Sequence, residues 1–199
     1  MKSKQAISIV TAVITVIAIR IAARAAIEIN RSIEPASTAE VTLEDFNRIL
    51  PSRDGTAQIT LPPGWKTEEG LNDTAIIQAS KRSADMFLIA IKYSKADIAG
   101  LDKQQLAEIS IDGFAQTLTN PEISKPVAIT TVNGDSAIQY EIKGTFSGVN
   151  IAYLFTLIEA QSSYYEVLAW TASSQFESNK PELQQIVQSL QEAQATATH

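Results

Sequence analysis

Few side chains in this 199-residue chain are of the types that acid–base, nucleophilic or metal chemistry needs. The chain has no cysteine, which excludes disulfides, thiol catalysis and zinc–thiolate sites. Its one histidine, His199, is the last residue, where a base or a metal ligand would be poorly positioned. Ser80 lies beside Lys81, but this pair fits a polar turn between two strands better than a Ser-x-x-Lys arrangement. We therefore predict a protein that is not an enzyme and that holds no metal and no cofactor.

Carboxylates are concentrated in one predicted loop, at Glu68, Glu69 and Asp73, with Asn72 among them. Oxygen ligands of this kind suit Ca²⁺, but the spacing of an EF-hand is missing and a solvated loop is the simpler interpretation. The same charges suit contact with a protein partner. We predict Glu68 and Glu69 as partner-binding residues.

Two aromatic residues complete the predicted partner-binding set. Trp65 follows a Pro-Pro-Gly turn, and Tyr164 alternates with Tyr165 along one strand, so the two tyrosines point to opposite faces. Aromatic side chains of this kind often anchor interfaces, and they also fill the space between a sheet and a helix. For Trp65, burial in the core stays open as an alternative.

Charge divides the chain into a basic front and an acidic remainder. Up to Glu34 there are five basic and two acidic residues, whereas the rest carries 11 basic and 20 acidic residues, a formal charge of −9. A surface this acidic repels phosphate backbones and anionic lipid. We therefore predict no nucleic-acid partner.

An uncharged segment at positions 6–19 follows Lys2 and Lys4. As a helix it spans roughly 21 Å, and residues up to 29 extend it to bilayer thickness if Arg20 and Arg24 reach the interface. We predict a membrane anchor over residues 1–29, with a cleaved signal or a buried helix as alternatives. The residues expected to contact lipid are Ile7, Ile9, Val10, Val13, Ile14, Val16, Ile17 and Ile19.

The pattern of the remaining residues predicts a linker over 30–41, an α+β domain over 42–192 and a polar tail over 193–199. Helices are expected near 42–50, after an N-cap at Asp102, and from Pro181 onward. Strands are expected at 56–61, 74–81, 85–93, 126–132, 136–146, 151–158 and 164–171, with a hairpin turn at Asn133-Gly134. Short loops make the later strands antiparallel. The prediction is an αβα sandwich around a mostly antiparallel sheet of about six strands.

Two segments resemble a known superfamily. The first is Ile59-Thr60-Leu61-Pro62-Pro63-Gly64-Trp65-Lys66, and the second is Tyr164-Tyr165-Glu166-Val167-Leu168-Ala169-Trp170 followed by Phe176 and an apolar helix. Both are similar to the opening and the ending of PsbP-like proteins, which include extrinsic photosystem II proteins, DcrB-type envelope proteins and Ran-binding Mog proteins. The resemblance implies an αβα sandwich with a non-catalytic binding or assembly role.

Together these features predict a membrane-tethered accessory module that binds a protein partner. Its domain is expected outside the cytoplasm, in a periplasm or, in a cyanobacterial host, the thylakoid lumen. The alternatives are a carrier of a small ligand or lipid in a cavity between sheet and helices, and a hydrolase that uses carboxylates.

Overall fold

The computed structural model of the chain describes residues 47–98 and 100–193. The predicted anchor, the linker and most of the tail lie outside these residues. Within the described ranges, no helix has the length and apolarity that a bilayer crossing requires.

The described chain is α+β and all of its strand pairs are antiparallel. Its eleven strands are β1 (Arg48–Pro51), β2 (Ala57–Leu61), β3 (Lys66–Thr67), β4 (Ile77–Lys81), β5 (Met86–Ser94), β6 (Thr119–Ile123), β7 (Val127–Thr130), β8 (Ser136–Phe146), β9 (Val149–Glu159), β10 (Ser163–Ala172) and β11 (Gln191–Glu192). Two helices, α1 (Lys103–Ala115) and α2 (Phe176–Gln188), accompany them.

Eight strands form the large sheet, in the order β3-β4-β5-β10-β9-β8-β6, with β7 also paired to β8. β8, β9 and β10 follow one another through short turns, as their sequence predicted. Eight of the eleven residues of β9 and nine of the ten residues of β10 are buried. The sheet has two more strands than expected because β3 is only two residues long and β6 contains Pro121, which marks a strand confined to an edge.

A second sheet has the order β1-β2-β11. Its first strand corrects the prediction of a helix up to Leu50, since Arg48 to Pro51 pair with β2 from Leu61 to Gln58. A helix over this segment would require the side chains of Ile49 and Leu50 both to face the core. In the strand they alternate, so that Leu50 packs inward and Ile49 is 63% exposed.

Both helices begin at identifiable residues. Asp102 caps α1 as predicted, because its carboxylate accepts from the Gln105 N–H and Gln105 reaches back to the Asp102 N–H. The prediction that α2 starts at Pro181 was wrong by five residues. The helix begins at Phe176, whose ring is fully buried, and Pro181 lies inside it, where it removes one helical hydrogen bond.

The two faces of the large sheet carry separate cores. Under α1 lies a core rich in aromatic rings, called here the α1-face core, which includes Phe87, Phe114, Tyr153, Phe155 and Trp170. On the opposite face, α2 and the small sheet cover a core rich in alanine and aliphatic residues, the α2-face core. The layers are therefore helix, sheet, then helix with the small sheet.

Candidate functional site

A groove lies at one margin of the α2-face core, between β1 and the chain segment that leads into β4. It is lined by Leu50 and Pro51 of β1, by Arg53, and by residues 67–70, 72, 73 and 75–78, and its volume is about 400 Å³. This surface is named the β1–β4 groove. Leu50 and Ile76 line it and also pack against the α2-face core, so its floor is apolar and continuous with the core.

Two sets of arginine contacts join the walls of the groove. On one side, Arg48 Nη2 donates to Thr67 Oγ1 at 3.3 Å. On the other, the Arg53 N–H donates to the carbonyl of Ile76 at 2.7 Å, and Arg53 Nη2 donates to the carbonyl of Asp73 at 3.2 Å. β1 and the facing loop are thus held at a fixed separation.

Asn72 holds the loop in shape. Its side chain is buried, and Oδ1 accepts hydrogen bonds from the Thr74 N–H and hydroxyl and from the Ala75 N–H at 2.7–3.0 Å. The Gln78 amide completes the support by accepting from the Asn72 N–H and donating to the Asn72 carbonyl. Because this oxygen already accepts three hydrogen bonds, the loop is organised as a wall of the groove and not as a cradle for Ca²⁺.

The two predicted glutamates of the loop have different environments. Glu68 accepts two hydrogen bonds from Arg82 at 2.8 and 3.0 Å and another from the buried Ser80 hydroxyl. Burial acts to raise the pKa of Glu68, but the hydrogen bonds from Arg82 and Ser80 outweigh it and the pKa is lowered. Glu69 is exposed and makes no ion pair with the described part of the chain. Glu69 is therefore one charge that the groove offers to an incoming group, beside the exposed Asp73 and Arg53 of the same lining.

The other two predicted residues do not reach the groove surface. Trp65 is 3% exposed and belongs to the α2-face core, where its indole N–H donates to Glu182 Oε1 at 2.7 Å. Tyr164 lies on the opposite face of the sheet and is 6% exposed, with the Lys95 ammonium 5.1 Å from its ring centre. The structure thus brings together Glu68 and Glu69 and separates Tyr164 from them.

The whole arrangement is similar to that of several solved proteins. Cyanobacterial PsbP (CyanoP) from Synechocystis sp. matches with a TM-score of 0.54 and 11% identity, over 79% of this chain and 98% of that one. The Ran-binding protein Mog1p of Saccharomyces cerevisiae matches with a TM-score of 0.54 and 11% identity, over 73% and 95%. The chain has the PsbP/Mog-type fold. The predicted resemblance is confirmed at the level of the fold.

A third protein with this PsbP/Mog-type fold is LpqN of Mycobacterium tuberculosis, described as involved in cell envelope biogenesis. It matches with a TM-score of 0.51 and 14% identity, over 78% of this chain and 99% of that one. No protein-family model matches the sequence, and no curated protein matches it. What unites these proteins is therefore the arrangement of the chain, since so little of the sequence is shared.

The PsbP/Mog-type core also contains a polar cluster that the sequence did not predict. Glu166 of β10 is 3% exposed and lies under α1, where Oε2 accepts from Ser110 Oγ at 2.8 Å and from the Tyr93 hydroxyl at 3.2 Å. Burial raises the pKa of Glu166 to about 7, although both hydrogen bonds act against the shift. In the sequence, this cluster is indicated only by Glu166, a single carboxylate inside the otherwise apolar strand β10.

Proposed function

We propose that this chain is a membrane-tethered accessory module that binds a protein partner in the β1–β4 groove and catalyses no reaction. The observation that carries the proposal is the groove itself, with an apolar floor, a loop fixed by Asn72 and an exposed carboxylate at Glu69. An apolar centre with a polar rim is the usual anatomy of a protein interface. The acidic charge of the chain beyond Glu34 argues against a nucleic-acid partner.

A protein with the same fold supports this proposal. Mog1p is a Ran-binding protein, which gives one instance of this arrangement of helices and strands in a protein that binds another protein. The carrier alternative has less support, because aromatic rings pack closely between α1 and the sheet; Phe114 and Tyr153, for example, are 4.6 Å apart.

A capture experiment tests the groove. The tagged full chain would be purified with its host membranes in mild detergent, as wild type, as Glu69→Lys and as Glu108→Lys. Glu108 is an exposed residue of α1, so the two variants change the net charge equally at different places. We expect a reproducible partner that Glu69→Lys loses and Glu108→Lys keeps. Equal recovery by all three forms would contradict binding in the groove.

The tether and the location outside the cytoplasm rest on the apolar segment over 6–19 and need a separate test. Membrane vesicles of known orientation would be treated with protease, using the chain tagged at each end. We expect the chain to sediment with membranes, resist carbonate extraction and keep its C-terminal tag protected on the extracytoplasmic side. Recovery of the full-length chain in the soluble cytosolic fraction would contradict the tether.

A further inference from the structure

The β1–β4 groove is bordered by a strand whose outer edge has no partner strand in the described ranges. β1 is the terminal strand of the small sheet, and only β2 pairs with it there. Unpaired strand edges present backbone N–H and C=O groups that can receive an added strand. Two residues of β1, Leu50 and Pro51, line the groove, so this edge borders it.

The register of β1 on β2 shows which backbone groups point outward. Ile49 lies opposite Thr60, whose N–H and carbonyl are both engaged by the Ser189 hydroxyl on the far side of β2. Ile49 and Thr60 are thus a non-hydrogen-bonded pair, since in antiparallel sheets such pairs alternate with hydrogen-bonded ones. The N–H and C=O of Ile49 therefore face away from β2.

The same alternation explains Pro51. It lies opposite Gln58, two residues along from the Ile49 pair, so its own backbone groups also face away from β2. Its missing N–H costs the small sheet nothing, and its carbonyl stays available. The outer edge of β1 thus offers one N–H, from Ile49, and two carbonyls, from Ile49 and Pro51, and it ends at Arg53, whose N–H already donates to the Ile76 carbonyl of the opposite wall.

The floor and the rim of the groove determine the chemistry of the occupant. Side chains of an extended segment alternate in direction, so residues two positions apart share a face. One such residue would rest on the floor formed by Leu50 and Ile76, and a second would reach the rim at Glu69. An apolar residue and a Lys or Arg two positions apart satisfy both contacts.

We propose that the partner binds by strand addition: an extended segment with an apolar residue two positions from a Lys or Arg pairs with the outer edge of β1. The inference rests on the proposed function and adds the mode of binding and the chemistry of the ligand. It requires backbone pairing through Ile49, whereas the proposed function requires only the groove.

The test uses the full chain in detergent and a phage-displayed library of random nine-residue peptides. An enriched peptide would be synthesised, and its Kd measured against wild type, Ile49→Pro, Ile49→Ala and Glu69→Lys. Ile49→Pro removes the outward N–H while leaving the β1–β2 hydrogen bonds in place, and Ile49→Ala removes only the exposed side chain. We expect a loss of about tenfold for Ile49→Pro and less than about twofold for Ile49→Ala.

Hydrogen exchange keeps the test informative if the proline variant folds poorly. In wild type, we expect the Ile49 amide to exchange quickly in the free chain and slowly with the peptide bound. Similar Kd values for Ile49→Pro and Ile49→Ala, with a loss in Glu69→Lys alone, would overturn strand addition and leave the proposed function standing. An Ile49 amide already protected in the free chain would overturn it as well, since the edge would then be occupied by the chain itself. Peptides that bind all four forms equally would count against both proposals.

Discussion

The two faces of the large sheet are built from different residues. The α2-face core contains seven alanines, and these let α2 and the small sheet approach the large sheet closely. The α1-face core contains seven buried aromatic residues, against three on the α2 face. It also holds Glu166 and two polar atoms that lack a hydrogen-bond partner among the described residues, Tyr153 OH and Trp170 Nε1. Buried polar groups of this kind reduce stability.

The difference between the two cores bears on how rigidly each face can hold a binding surface. The groove lies at the margin of the α2 face, and its floor residues Leu50 and Ile76 pack directly against that core, whereas Ala75 of its lining belongs to the α1-face core. A site that rests on closely packed elements keeps its shape without a ligand. The α1 face carries a destabilising carboxyl group, so its stability is expected to fall as pH rises, whereas the lowered pKa of Glu68 makes the groove side lose stability as pH falls.

The largest effect is expected from Leu183→Ala on the α2 face. Leu183 is fully buried between α2 and the sheet, and its truncation leaves a cavity in a closely packed layer. We expect a loss of about 3 kcal/mol in the free energy of unfolding, measured by urea denaturation. Ile49→Ala, at an exposed position, serves as the control and should change stability by less than about 0.5 kcal/mol. A loss under about 1 kcal/mol for Leu183→Ala would contradict the close packing of this face.

Glu166→Gln, in contrast to Leu183→Ala, should raise the free energy of unfolding, and it should do so mainly at higher pH. Because the folded state raises the pKa of Glu166 from 4.5 to about 7, the folded protein holds this proton more tightly than the unfolded chain does. The group therefore reduces stability progressively as pH rises from about 4.5 to 7, and the full cost persists above that range. We expect Glu166→Gln to raise the free energy of unfolding by about 2 kcal/mol at pH 8 and by much less at pH 4.5.

The control for this substitution is Glu108→Gln on the exposed side of α1. Glu108→Gln removes an exposed carboxylate and leaves the buried Glu166 in place. The pH dependence of the free energy of unfolding should therefore be the same as in wild type. The measurement is a set of urea denaturation curves at pH 4.5 and pH 8 for wild type, Glu166→Gln and Glu108→Gln. A Glu166→Gln variant less stable than wild type at pH 8 would show that the carboxylate is held there by favourable interactions that the cluster with Ser110 and Tyr93 does not account for.

A smaller effect is expected from Asn72→Ala in the groove loop. The substitution removes Asn72 Oδ1, which accepts three local hydrogen bonds. The Thr74 and Ala75 N–H groups then lose their acceptor. We expect a loss of about 1 kcal/mol in stability and faster hydrogen exchange at these two amides. Exchange at Ile89, in the middle of β5, should stay slow. Unchanged exchange at Thr74 and Ala75 would show that the loop does not depend on Asn72.

The smallest effect on stability is expected from Glu69→Lys. Glu69 is exposed and makes no ion pair with the described residues, so the free energy of unfolding should change by less than about 0.5 kcal/mol. The melting curves of wild type and variant should therefore overlap, which makes this variant a clean probe of binding. A clear loss of stability would mean that Glu69 has a structural role in the loop.

The sequence predicted the elements with strong local signals. Asp102 identified the start of α1, Asn133-Gly134 identified a hairpin turn, and the apolar runs of β9 and β10 identified the centre of the sheet. β1 was predicted as a helix because its strand identity depends on pairing with β2, which the local spacing of Ile49 and Leu50 does not reveal.

The groove was harder to predict than the fold. Glu68 and Glu69 were identified by type and proximity in sequence. The floor, however, is made by Leu50 and Ile76, which are far apart in the chain and meet only because the small sheet packs against the large one. Glu166 was overlooked for a related reason, since its donors Ser110 and Tyr93 come from two other elements.

The central claim, that the β1–β4 groove contacts a protein, is tested most directly by site-specific photo-crosslinking in native membranes. A benzophenone amino acid would replace Glu69, and in a separate chain Gln116, an exposed residue at the end of α1. We predict one discrete crosslinked species from position 69 and none of the same mass from position 116. No adduct at position 69, or the same adducts from both positions, would contradict the claim.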